Sequence, residues 1–269
     1  MADFMMKAKR SGVTTFPMTE EERVARRDLA AAYRLFAHFG MDDLLANHLT
    51  VRVPGPAGSE AFLINPLGLT FEEVTASSLI KINLQGEILQ DTPWQINRAG
   101  FVIHSAVHEA SHTARSVMHL HGKAGVAVSS TKEGLLPLNQ TAISLCGNIA
   151  FHDYEGPATN DDEKKRLVAD LGDKRLMLLR NHGTLSTGET IAEAFFRLYT
   201  LEWACDVQVK TLAMGRPLVD ADPEVVRKTG LNFGNEPKYL DYIRKYTTDP
   251  FWPAMLRKLD RVNPGYDDL

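Results

Sequence analysis

Cysteine is nearly absent: Cys146 and Cys205 are the two in 269 residues. Two thiols give no disulfide framework, so a core must hold the fold, and a reducing, cytoplasmic setting is expected. No apolar run approaches the roughly 18 residues of a membrane span. Residues 1–10 carry Lys7, Lys9 and Arg10 with no apolar stretch behind them, so a secretory leader is not expected. Neither sign of charge dominates. The formal net charge is −4, the pI about 6.1, and the charges are interspersed. A nucleic-acid partner would need a basic stripe, and there is none. Repeats and low-complexity tracts are missing too. The remainder is ordinary globular composition, 44% hydrophobic and 24% charged, enough for one large core.

The expected organisation is an arm over 1–18, a main domain over 19–215, and a tail of Pro-punctuated short helices over 216–269. That tail packs on the same domain or on a neighbouring subunit. Thr19 to Glu22 reads as a capping box opening a helix that stops at Gly40. Asn47 to Val53 alternates as a strand, and Ala61 to Asn65 pairs back on it across a Pro/Gly turn. Pro66-Leu67-Gly68 is a tight loop, and Phe71 to Ala76 a helical turn. Leu79 to Leu84 and Glu87 to Leu89 flank Gln85-Gly86 as a second hairpin. Asn97 to Ala110 is helical, Ala114 to His121 a strand, and Ala124 to Ser130 a small-residue helix. Ile149 to Tyr154, Arg175 to Leu179 and Thr184 to Thr187 read as strands. A helix capped at Asn160 runs to Leu171, and a long one spans Thr190 to Met214. Hairpin connections early in the chain favour a mostly antiparallel sheet with helices on both faces over a strict βαβ alternation.

Val117-Met118-His119-Leu120-His121 is the stretch that carries chemistry. Side chains alternate along a strand, so His119 and His121 share a face and can point at one ion. The third ligand has to come from elsewhere, and His182, in Arg180-Asn181-His182-Gly183, is the best candidate. Three imidazoles suit zinc, with iron or manganese as alternatives. They leave a coordination position open, as a catalytic site needs. Such an ion polarises a carbonyl and stabilises an enolate. His104 and His108 stand four apart on one helical face. The zincin pattern needs a Glu after the first His, and Ser105 is there instead, so this pair reads as buried or capping.

The segments Asn97 to Ala106, His119-Leu120-His121, Gly134 to Pro137, Phe151 to Gly156 and Leu179 to Gly183 together resemble the class II aldolase/adducin family, nearest its adducin-like branch. The resemblance covers roughly 20–215. It implies an α/β fold, a three-layer α/β/α sandwich on a central, mostly antiparallel sheet. It implies His119, His121 and His182 as ligands of a divalent metal, typically zinc, and a homotetramer with sites between subunits. Four departures stand out. The family's acid/base carboxylate falls at Ala99-Gly100, Asn97-Arg98 replaces the serines that help hold a sugar phosphate, and His48 aligns with an Asn of that site. Leu67-Gly68 stands for the Thr-Gly of the phosphate loop.

The expected function is a metal-dependent lyase of the aldolase type. It would act on a small, non-phosphorylated carbonyl or hydroxy compound by retro-aldol cleavage or decarboxylation, through a metal-stabilised enolate. Tyr154 and His152 are the candidate catalytic groups, with His48, Asn47 and Gly68 as substrate contacts. Glu109 is a weaker carboxylate candidate, because its helix does not aim it. Two other classes stay open. One is a non-haem iron oxygenase. The other is a non-catalytic, adducin-like interaction protein.

Overall fold

The computed structural model describes residues 18–156, 161–232 and 236–269, with the side chains of Arg98, Ala99, Asp161 and Asn232 outside that set. The expected arm and the Asn160 cap also lie outside the described residues.

Helix α1 (Glu20–His38) starts where Thr19 Oγ1 accepts the Glu22 N–H at 3.1 Å. The return half of the expected capping box is not made. Glu22 is buried and pairs with Arg26 at 2.9 Å and Lys81 at 2.7 Å, because a buried carboxylate needs cations more than one more cap bond. Strands β1 (His48–Pro54), β2 (Glu60–Ile64) and β3 (Ile80–Asn83) follow, all antiparallel neighbours. The second hairpin is shorter than the sequence suggested, with one bridge, Ile82 to Ile88, beyond β3. The expected turn at Phe71 is a 3-10 helix, Phe71–Glu73.

After α2 (Arg98–Ala110) come β4 (Ser116–Leu120), α3 (Lys123–Ser129), α4 (Gln140–Leu145), β5 (Ile149–His152), α5 (Asp161–Leu171), β6 (Leu176–Leu179), β7 (Gly183–Gly188) and α6 (Ile191–Ala213). Helices α7 (Pro223–Asn232), α8 (Pro237–Tyr246) and α9 (Trp252–Val262) form the tail. Trp252, Leu259 and Tyr266 of the tail are buried in one cluster with α1, and Arg34 donates to the carbonyls of Pro264 and Gly265. No helix among the described residues is long and apolar enough to cross a membrane.

The sheet order is β3-β2-β1-β4-β7-β6-β5. Every neighbouring pair is antiparallel except β5 with β6. Helices cover both faces. Leu49, Val51, Met118 and Leu120 pack towards α1 and α6, while Val117, Met177 and Leu185 pack against Ile103 and Val107 of α2 and Leu167 of α5. The alternation places His48, Thr50 and His119 on the α2 face, and register sets His48 directly opposite His119. The hydroxyl of the fully buried Tyr33 pins that end of the sheet. It accepts the Leu49 N–H at 2.7 Å and the Asn65 N–H at 3.2 Å, where the β1–β2 ladder stops.

Candidate metal centre

His119 lies in the last turn of ladder pairing on β4, fully buried. The strand ends at Leu120, so His121 sits just past it, half-buried. His182 is in the tight connection between β6 and β7. Asn181 takes a left-handed φ of 56° there, which Asn tolerates better than most residues. Gly183 then passes so close to β4 that a Cβ would stand 2.2 Å from the Leu120 carbonyl oxygen. A side chain there would push the β6–β7 connection away from β4, and His182 away from the pair.

The result is a near-equilateral triangle of rings, with centroids 4.7 Å apart for His119–His121 and 4.8 Å for each with His182. One nitrogen of each lies within 4.8 Å of the others. Hydrogen bonding identifies the nitrogen for His119 and His121. His119 Nδ1 donates to the Thr184 carbonyl at 2.9 Å, so in the neutral ring Nε2 is bare. His121 Nδ1 faces Asp43 Oδ2 at 3.3 Å, leaving its Nε2 bare as well. The two Nε2 atoms face each other at 2.9 Å. Two lone pairs so placed repel unless a cation lies between them. Tetrahedral zinc at 2.0–2.1 Å from each nitrogen needs them about 3.3 Å apart, a small adjustment. These residues therefore fit a divalent ion. Burial, then the neighbouring imidazoles, holds His119 well below the usual histidine range, and the same causes bring His182 to about 4. Both rings are neutral near pH 7, the form that binds metal.

The triangle floors a cavity of about 640 Å³ whose wall includes Asp43, His48, Lys123 and Tyr154. Tyr154 is exposed, its ring 6.2 Å from that of His182. His48 lines the cavity too. The other candidates do not. His152 is buried and turned to α5, with Nδ1 on Asp170 Oδ2 at 2.7 Å and Nε2 3.8 Å from Glu163 Oε1. It reaches the centre only as a neighbouring charge for His182. Asn47 is buried just before β1, its carbonyl taking Asn65 Nδ2 at 3.4 Å. Gly68 has φ 114° in a loop bridged through Leu67 to Gln95, beside the Trp94 ring. Asn47 stands between two cavity-lining residues, Ala46 and His48, but neither it nor Gly68 is itself part of the lining. Glu109 is exposed.

Sequence reasoning missed two partners behind the triangle. Glu202, buried on α6, accepts the Thr184 hydroxyl at 2.5 Å and the Gly125 N–H at 3.2 Å. Thr184 is the residue whose carbonyl fixes His119. Desolvation lifts Glu202 to about 7 against those two bonds. A Glu amid Leu201 and Trp203 gave one weak signal, a charge on the apolar side of a long helix. The second miss is Thr50, which joins the expected buried pair His104 and His108 into a line leading to His48.

A sheet covered on both faces, with three imidazoles clustered at the end of its central strands, defines an α/β protein whose triad could hold a metal ion. The match to known proteins narrows this. Residues 27–209 match the family model described as the Class II Aldolase and Adducin N-terminal domain, and the chain belongs to that family. A protein of Caulobacter vibrioides named "Putative aldolase class 2 protein" is 49% identical over 256 residues, covering 93% of this chain and 95% of that one. Mouse alpha-adducin is 47% identical over 259 residues, which is 91% of this chain but 34% of the adducin. Among solved structures, an L-fuculose 1-phosphate aldolase from Glaciozyma antarctica superposes with a TM-score of 0.74 at 28% identity, covering 94% of this chain and 96% of that one.

Proposed function

We propose that this chain is a metal-dependent lyase of the aldolase type, acting on a small, non-phosphorylated carbonyl or hydroxy compound. The observation that carries the reading is the pair of bare imidazole nitrogens 2.9 Å apart at the floor of an open cavity, with His182 completing the triangle. His119, His121 and His182 would hold the ion, zinc by family habit, with iron or manganese accommodated by the same donors. When bound, the ion supplies a Lewis acid that draws charge from a carbonyl oxygen.

The chain's own residues do the rest. In retro-aldol cleavage a hydroxyl proton leaves, the carbon–carbon bond breaks, and the carbon beside the carbonyl takes up a proton. Tyr154, which lines the cavity with its ring 6.2 Å from that of His182, would move one of these protons. Lys123 and Asp43 bring one charge of each sign to the cavity lining. The Gly100 position cannot hold a carboxylate, because a Cβ there would stand 2.7 Å from the His48 ring. The acid/base therefore differs from a carboxylate at that place. The reading includes a homo-oligomer, four copies by the family resemblance, which light scattering checks.

The test is to load the chain with zinc and measure stoichiometry. It is then offered small β-hydroxy ketones, with aldehyde release followed, and small β-keto acids, with CO2 release followed. One zinc per chain and release that disappears in His119→Ala support the reading. Oxygen uptake with iron and no aldehyde would move the site to an oxygenase. Absence of both reactions in a metal-loaded chain would favour an interaction role like that the adducin similarity suggests, since no carboxylate stands at Gly100.

A further inference from the structure

Behind the cavity a second row of imidazoles runs through Thr50, and none of the chemistry above uses it. Its direction can be read from one end. His108 Nδ1 lies 2.9 Å from the Ala114 carbonyl, which can only accept, so Nδ1 carries the proton. His108 is buried beside the Arg52 guanidinium, which donates to its backbone carbonyl, and no carboxylate bonds to any ring of the row among the described residues. A neutral ring then leaves Nε2 bare, and the Thr50 hydroxyl, 2.8 Å away, donates to it. With its proton committed, Thr50 Oγ1 accepts from His104 Nδ1 at 2.6 Å. His104 is fully buried, so its Nε2 is bare and accepts from His48 Nδ1 at 2.8 Å. The Thr50 hydroxyl has one other acceptor, the Val117 carbonyl at 3.5 Å, too long to compete with the bare His108 Nε2 at 2.8 Å.

We infer that His48 is locked as the Nδ1–H tautomer and presents a bare Nε2 to the cavity, where it accepts a hydrogen bond from a substrate hydroxyl. This rests on reading the cavity as the substrate site. The ring is placed for it. It lines the cavity, packs 5.1 Å centroid to centroid from His119, and stands over Gly100, whose missing side chain leaves it room. Nε2 of His48 has no hydrogen-bond partner among the described residues. A bare ring nitrogen accepts and does not donate. At this position it therefore selects a hydroxyl or another donor and opposes the lone pairs of a phosphate oxygen. The specificity of the site is thus set from Ala114, four hydrogen bonds away.

The experiment is a long-range proton–nitrogen spectrum of the whole chain labelled with nitrogen-15 histidine, combined with a matched ligand pair. His48 should show a protonated Nδ1 and a pyridine-type Nε2. Thr50→Val removes the joint and should admit the other tautomer, while Thr50→Ser keeps the wild-type pattern. The zinc-loaded chain should bind glycolohydroxamate about threefold to tenfold tighter than acetohydroxamate, which lacks only the hydroxyl, as one added neutral hydrogen bond implies. Thr50→Val should erase that preference. A protonated Nε2 in the wild type overturns the inference, and so does equal binding of the two hydroxamates. If neither binds a chain shown to hold zinc, the substrate reading of the cavity fails and the hydroxyl contact with it, while the tautomer spectrum reports separately on the lock. Should Thr50→Val not fold, the wild-type spectrum and ligand pair decide alone.

Discussion

Two groups of three imidazoles lie in ring contact with each other, joined where His48 meets His119, and the fold puts them to opposite uses. In the outer group, His119, His121 and His182, a backbone carbonyl and a carboxylate take the Nδ1 protons of the first two, and their bare Nε2 atoms converge beside the ring of His182. In the inner group, His48, His104 and His108, each ring's lone pair meets the next donor, and nothing is left to share except at the cavity end. Convergence fits a cation. Head-to-tail order fits a fixed orientation. The difference lies in the partners, since the rings are the same and all but His121 and His182 are buried.

The largest expected effect separates the groups by metal binding. His119→Ala should weaken zinc by more than the ~100-fold that outer partners command, whereas His104→Ala should leave one zinc per chain. Chelator competition reads both, and equal loss in the two variants would erase the distinction drawn here. Glu202→Gln comes next. It disturbs Thr184, which orients His119, and should cost about 10–100-fold in zinc affinity with the circular dichroism unchanged. Unchanged affinity would remove Glu202 from the centre.

Thr50→Val strands buried His nitrogens in the inner group alone. Chemical denaturation should show a loss of about 1–3 kcal/mol, with zinc stoichiometry kept. A loss of zinc would mean that the two groups are not separable.

The smallest effect is a slope. Burial holds His108 at about 3, against 6.5 for the free side chain. Below 6.5 the unfolded chain binds a proton that the folded one refuses. This contribution is therefore complete above pH 6.5 and is lost as pH falls towards 3, at up to about 1.4 kcal/mol per pH unit. His108→Leu should flatten the curve by that amount relative to wild type. Glu202, raised to about 7, acts in the other sense: its contribution is present below 4.5 and lost as pH rises through 7. Stability curves of zinc-free wild type, His108→Leu and Glu202→Gln would show the two opposite differences. The same sign in both would contradict the burial argument.

Much of the outer group was legible beforehand. Period two put His119 and His121 on one face, and Asn181-Gly183 announced a turn for His182 to ride on. The inner group was not. His104 and His108 were recognised as a buried or capping pair, but Thr50 and His48 are 54 and 56 residues from His104 along the chain. Only the β1–β4 register and the packing of α2 on that face bring them into line. His152 shows the reverse error, since a polar strand end beside a strong motif looked like a catalytic group until α5 supplied Asp170. The first hairpin, most helix positions and the mostly antiparallel sheet followed from periodicity and turns, while the short helix α4 and the parallel β5–β6 pair did not, the latter because its partners are joined through α5.

By itself, then, the order of residues determined the elements, the family and the three imidazoles that could meet, because alternation and turn chemistry are local. The tertiary structure alone decided which nitrogen of each ring is bare, because a neutral imidazole has one proton and only its neighbours in space choose where it sits.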